Sequence, residues 1–184
     1  QDFTQFLHVK GSSRFKNSQT VLDLWLNHPD WPMIHIVHHG SNGFLSLHKP
    51  LLINNNITLY QYKLSENELN ILMNKCGIHI CPSSTEGYGH YINEARSVGA
   101  LILTSDCLPM NSFVNSSNGI LIKVNKFNRQ NFNISCEISQ VDLECAIIKA
   151  IGLTSSEKKK LGVNSRNLYL KNKDDFFDQK IVLQ

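Results

Sequence analysis

The chain has 184 residues, 41% of them hydrophobic and 18% charged, and a net charge of +3. That is the composition of one globular domain with a sizeable core, and it excludes a disordered chain or a disulfide-dense miniprotein. No run approaches the roughly 20 apolar residues of a membrane span, no signal peptide opens the chain, and its lysines are spread without interleaved aromatics, which argues against a nucleic-acid partner.

Apolar runs alternate with helical patterns from the start. Phe6 to Val9 reads as a first strand, followed by the polar loop Gly11 to Asn17. A helix then carries Val21, Leu22, Leu24, Trp25 and Leu26, and Pro29 and Pro32 end it. Met33 to Val37 is the second strand, Gly40 to Gly43 a loop, and Ile57 to Tyr60 the third strand. Leu64 to Lys75 reads as a helix in which Ser65 and Glu68 form a capping-box pair. Ile78 to Cys81 is the fourth strand, and Tyr91 to Val98 a helix with Ile92, Ala95 and Val98 on one face.

Leu101 to Thr104 and Ile120 to Val124 complete a set of about six strands, and the Asn-rich segment Lys126 to Ser135 reads as a mobile loop. Val141 to Ile151 and Ser155 to Leu170 are helical. Short apolar strands alternating with helices predict an α/β fold with a doubly wound, Rossmann-like parallel sheet. A single domain is expected over 1–184, with its core at 5–152 and C-terminal helices at 153–184. The opening residue is Gln1 rather than Met, as expected of a domain taken from a longer protein. Five cysteines, at 76, 81, 107, 136 and 145, form no CxxC pair and leave one over, which fits a reducing, cytoplasmic setting.

The stretch Cys81-Pro-Ser-Ser-Thr-Glu-Gly-Tyr-Gly-His-Tyr-Ile-Asn-Glu94 carries the most chemistry. It sets Glu86 and Glu94 on either side of a Gly-x-Gly turn between a strand and a helix start, where free N–H groups and the helix dipole attract anions. Two carboxylates there can grip hydroxyls beside a bound phosphate. A helix-capping acid and a surface acid would occupy the same positions without any ligand, and a glycosidase-type acid pair is a third reading. Gly87 and Gly89 flank Tyr88, where glycine is costly unless the backbone turns sharply or approaches something closely.

In the first loop, Gly11 permits close backbone approach, and Arg14 and Lys16, two apart, would point the same way from an extended segment toward one diphosphate. Solvated loop charges are the plainer alternative. The loop matches neither a Walker motif nor G-x-G-x-x-G. His35 and His39 would share a strand face, yet no Cys or acid sits at ligand spacing, so no metal site is expected. The absence of Asp-x-Asp argues against a carboxylate-held Mg²⁺. His90, at the helix start, is placed to donate to a phosphate or sugar oxygen.

With these residues the sequence resembles the C-terminal, donor-binding domain of GT-B-fold retaining glycosyltransferases of the E-x7-E type (glycosyltransferase family 4-like). The motif is Glu86-Gly-Tyr-Gly-His-Tyr-Ile-Asn-Glu94, followed by Ala95-Arg-Ser-Val-Gly99 and, downstream, Asn118-Gly-Ile-Leu-Ile122. The resemblance implies that Glu86 contacts the donor sugar, Glu94 holds the ribose, and the backbone of Gly87, Tyr88 and Gly89, with His90, meets the sugar and diphosphate. Lys16 would neutralise the leaving diphosphate. Ser12 stands where the family has an arginine, for which Arg14 would substitute, beside Gly11. The base would lie near Tyr62, within Tyr60 to Leu64. Leu108 to Ser112 replaces the family's Gly-Gly and glutamate after the fifth strand.

The implied donor is a UDP- or GDP-sugar, with no cofactor and no metal. The acceptor is unknown, and an N-terminal acceptor-binding domain, or a partner chain in its place, is missing from this sequence. A non-catalytic nucleotide-sugar-binding module and a nucleotide-sugar epimerase of similar architecture are the alternatives.

Overall fold

The computed structural model describes residues 1–11, 13–38, 50–130 and 133–182, with only the backbone at 130, 133 and 175–182. Ser12, His39 and the loop Gly40 to Gly43 lie outside the described residues. Seven strands form the main sheet: β1 Asp2–Val9, β2 Ile34–Val37, β3 Leu51–Ile53, β4 Ile57–Tyr60, β5 Cys76–Cys81, β6 Leu101–Ser105 and β7 Ile120–Ile122. Their order is β3-β4-β2-β1-β5-β6-β7, and every pair is parallel except β3–β4. The helices are α1 Ser18–Asn27, α2 Glu66–Lys75, α3 His90–Ser97, α4 Met110–Phe113, α5 Gln140–Gly152 and α6 Ser155–Val182. This is a Rossmann-like sheet with flanking helices, consistent with one half of a GT-B fold.

Two elements differ from the sequence expectation. The sheet has a seventh strand, β3, an exposed three-residue edge that returns to β4 through Asn54 and Asn55, both left-handed at φ 50° and 58°. The segment expected as a mobile loop is a hairpin instead. Strands β8 (Lys126–Gln130) and β9 (Asn133–Glu137) pair antiparallel, apart from the main sheet.

Alternation along the strands builds both layers of core. Phe6, Ile34, Ile36, Ile78, Ile80 and Leu101 face α1 and α5, where Val21, Leu24, Trp25 and Ile147 close the layer. From the opposite face, Leu7 and Val37 pack on Leu72 and Met73 of α2, while Cys81 and Ile102 pack on Tyr91, Ile92 and Ala95 of α3. Strand β5 is buried along its whole length, as its near-continuous apolar run requires. The Ser65–Glu68 capping box is present, each group satisfying a backbone N–H of the other.

Helix α6 lies directly on the turn after α3. A Cβ on Gly162 would stand 2.1 Å from the Gly99 carbonyl oxygen, inside any real contact distance. We therefore expect Gly162→Ala to destabilise the fold by about 1–3 kcal/mol, despite alanine's higher helix propensity. Urea unfolding measures this, and an unchanged or raised midpoint would contradict the packing.

Three histidines give the fold a pH dependence: His35, whose pKa burial holds at about 4, and two more set against backbone carbonyls. His8 sits in the sheet with Nδ1 2.9 Å from the Ile80 carbonyl and Nε2 2.7 Å from Ser18 Oγ, and His79 lies against the Met73 and Cys76 carbonyls. Burial holds each pKa down at about 4. Unfolded, each titrates near 6.5, so below that pH the unfolded chain binds more protons than the folded one. Their contribution is therefore complete above pH ~6.5 and lost as pH falls toward ~4, at up to about 1.4 kcal/mol per pH unit for each. Unfolding free energy measured at pH 7 and pH 5 should fall accordingly, and His8→Asn should flatten the profile.

Candidate active site

Strand β1 leads through α1 to β2 on one side, and β5 leads through α3 to β6 on the other. The chain therefore opens a crevice at the carboxyl ends of β1 and β5, where the strand order reverses and α/β folds take ligands. The two loops at this mouth are stitched together. Ser84 N–H donates to the Phe15 carbonyl at 2.7 Å, and Asn17 Nδ2 donates to the Pro82 carbonyl at 2.6 Å and to Ser84 Oγ at 3.1 Å. Asn17 takes a left-handed φ of 47° to do so while heading α1.

Lys16 projects from this seam onto the Tyr91 ring, with Nζ 3.8 Å from the centroid and 3.2 Å from the Val9 carbonyl. Burial lowers its pKa, and the neighbouring Cys81, Glu86 and Glu94 oppose that shift. Tyr91 hydroxyl and Ser83 Oγ are 2.5 Å apart, and Ser83 donates to Glu86 Oε1 at 2.7 Å. Each hydroxyl has one proton, so Tyr91 donates to Ser83 and Ser83 to Glu86. Burial and the neighbouring acid hold Tyr91's pKa well up, keeping it a donor. Glu86 is thus held in one rotamer by a buried relay, whereas Glu94 is exposed on α3.

Gly89 heads α3 with φ 66°, and a Cβ there would meet the Phe113 ring at 2.9 Å. No side chain caps the helix: its Ile92 and Asn93 N–H groups bond the Gly89 carbonyl, and those of His90 and Tyr91 are left uncapped. Gly87 needs no such allowance, since a Cβ there meets nothing within 4 Å. Tyr88 is 68% exposed, and its ring lies 5.0 Å from that of His90, which is also exposed. Among the sequence candidates, the fold therefore gathers Lys16, Glu86, Glu94 and the turn Gly87–His90.

Others stand apart. The segment around Arg14 bends instead of running extended, which removes the reason for Arg14 and Lys16 to point together. Arg14 lies over the Phe15 ring at 5.0 Å and makes no hydrogen bond or ion pair with Glu86 or Glu94. With Lys10, Ser18 and Gln61 it lines a cleft of about 390 Å³ on the α1 side. Gly11 turns at φ 58° at the loop's start. Tyr62 packs beside Tyr60 and Leu72 over α2, lining a shallow pocket of about 280 Å³. His35 is engaged by Gln5 and Tyr60.

Sequence reasoning missed Ser83, Tyr91 and Asn17. Ser83 stands in the sequence only as part of Cys-Pro-Ser-Ser, and Tyr91 only as the first residue of the expected helix. Among the described residues, no group of three or more His, Cys, Asp and Glu gathers as a metal site, and no helix is long and apolar enough to cross a membrane.

The fold recurs in solved glycosyltransferase structures. The Anabaena protein Alr3699/HepE, in complex with UDP and glucose, is 14% identical over 98% of this chain, with a TM-score of 0.69. This chain covers 48% of it, about half the length of that relative. The C-terminal domain of LpcC, a glycosyl transferase group 1 family protein from Francisella tularensis, is 16% identical, covers 91% of this chain and is itself 85% covered, at TM-score 0.66. The pneumococcal O-GlcNAc transferase GtfA, in complex with UDP and GlcNAc, is 13% identical over 97% of this chain and 35% covered, at TM-score 0.67. At such identities these likenesses speak for the fold alone. No curated protein matches the chain. The sequence itself goes further: over residues 21–134, more than half its length and spanning both glutamates, it matches the model for glycosyl transferases group 1, and the chain belongs to that family.

Proposed function

We propose that this chain is the donor-binding, C-terminal half of a retaining glycosyltransferase that uses a UDP- or GDP-sugar. The observation that carries this reading is the convergence of Lys16, Glu86, Glu94 and the open α3 N-terminus on one crevice at the strand-order reversal. Positive potential from Lys16 and the helix lies where a diphosphate would gain charge as it departs. Glu86, fixed through Ser83 and Tyr91, orients sugar hydroxyls so that the acceptor attacks from the leaving-group face. Glu94 holds the ribose. Tyr62 flanks the base, and His90 with the Gly87–Gly89 backbone meets the sugar and diphosphate. Arg14 precedes Lys16 in the first loop and would act on the diphosphate only from the α1 side. No metal is assigned a role, since Lys16 and the helix N-terminus supply the neutralisation.

The acceptor and its catalytic groups belong to a second domain or a partner chain, which fits a chain spanning about half of its relative. That same fact favours a second reading for the isolated chain: a module that binds the donor without turning it over. The five unpaired cysteines support a reducing, cytoplasmic location.

Calorimetric titration with UDP, GDP and ADP, then with their sugar conjugates, tests the reading. Saturable binding of one diphosphate, with the conjugate bound more tightly, is expected. Binding of none would contradict it. Turnover on adding acceptors separates an enzyme from a binding module.

A further inference from the structure

On the far side of α3 from Lys16, a groove of about 510 Å³ runs between α3 and the outer half of α6. Arg96 lies in its wall, 1% exposed, with Nη1 donating to Asn93 Oδ1 at 2.8 Å. Its Nε and Nη2 have no hydrogen-bond partner, and no carboxylate pairs with it among the described residues. A guanidinium does not shed its proton in proteins, so Arg96 is a buried cation without a counter-charge among the described residues. Buried charges are ordinarily paired. The two idle nitrogens are neighbours on one edge of the guanidinium, the fork that takes two oxygens of a carboxylate or phosphate side by side.

The rest of the groove suits the same guest. Lys173 supplies a second cation, and Asn172 and the Tyr169 hydroxyl supply donors. Rings flank the guanidinium, Phe113 at 5.7 Å and Tyr169 at 5.8 Å. Glu94 borders the groove on the crevice side, so an anion is favoured at the Arg96 end and disfavoured at the other. The idle edge is itself shielded, so an anion reaches it only when a flanking ring shifts; Phe113 is tied into the α4 core, whereas Tyr169 is half-buried on α6.

We propose that the α3–α6 groove is a second binding site, for the carboxylate or phosphate group of an anionic ligand held side-on by Arg96 and assisted by Lys173. One end of the groove is lined by Tyr88, His90 and Glu94 and so adjoins the donor crevice, whereas Arg96 and Lys173 have no part in the reading given for that crevice.

The test follows the Arg96 Nε–H resonance by NMR in the whole chain, assigned by its loss in Arg96→Leu. Inorganic phosphate and glucuronate are titrated separately. A saturable shift with phosphate alone identifies a phosphate group, with glucuronate alone a carboxylate, and with both a general oxyanion site. Lys173→Ala, a surface change that leaves the fold intact, should weaken the response about threefold or more. Lys16→Ala should leave it unchanged. A resonance that moves with neither anion, or that responds equally with and without Lys173, would overturn the proposal. Should Arg96→Leu fail to fold, the Lys173→Ala and Lys16→Ala comparison still decides.

Discussion

Lys16→Ala is expected to weaken diphosphate binding by the chain roughly 10–100-fold, the worth of one charge-assisted hydrogen bond. In the intact enzyme it should cost a further share of the rate, about 10²–10³ in all, because the same cation meets charge that grows in the transition state. Lys16 is placed for this by contacts it cannot lose cheaply. Its ammonium lies over the Tyr91 ring, in the field of the Glu86 and Glu94 carboxylates. Alanine removes the stem along with the charge, so Lys16→Met is the sharper variant: it keeps apolar contact with the ring and deletes only the cation. If Lys16 is only a buttress for Tyr91, Lys16→Met binds diphosphate like the parent chain. If it acts on the diphosphate, Lys16→Met and Lys16→Ala lose the same amount.

Glu86→Ala should abolish the preference for the sugar conjugate, a loss of about 10–100-fold, while plain nucleotide diphosphate binds nearly as before. The structure separates this role from a merely local one. Ser83 is buried and spends its proton on Glu86. Without the carboxylate, that hydroxyl and Tyr91 behind it must find new partners. Part of any effect could therefore be disorder of the loop, costing about 1–3 kcal/mol of stability. Glu86→Gln distinguishes the two, since its amide oxygen still accepts from Ser83. Equal weakening of nucleotide and conjugate in Glu86→Ala would contradict the assigned role. So would full selectivity in that variant.

What could be read beforehand follows from where the signal is local. Strands β2, β4, β5 and β6 are buried apolar runs between turn residues, and their place in a doubly wound sheet follows from the helices between them. The two glutamates and the Gly-x-Gly turn fall together because a strand–turn–helix unit holds them in one short stretch. The rest depended on contacts distant in sequence. Strand β3 is three residues long and exposed, so it carries no periodicity to read. The β8–β9 hairpin is polar and Asn-rich. It is fastened by the Cys136 N–H to the Ser84 carbonyl at 2.7 Å and by Thr85 Oγ1 to the Ile134 carbonyl at 2.9 Å, pairings across roughly fifty residues. The parting of Lys16 from Arg14 was hidden for the same reason. A period-2 argument needs an extended segment, and this one bends because Asn17 is drawn to Pro82 and Ser84 of another loop.

The hairpin has a consequence for the site. It is anchored on the residues that carry Glu86, so its length and sequence bear on the position of that carboxylate. Asn125 N–H bonds the Glu137 carbonyl at its base, closing the hairpin before α5 begins.

The location of the diphosphate tests the account most directly. A crystal structure of the chain with the diphosphate it binds should place phosphate oxygens within hydrogen-bond reach of Lys16 Nζ and the first N–H groups of α3, with the ribose toward Glu94. A diphosphate seated instead in the α1-side cleft against Lys10 and Arg14, away from both glutamates, would contradict it.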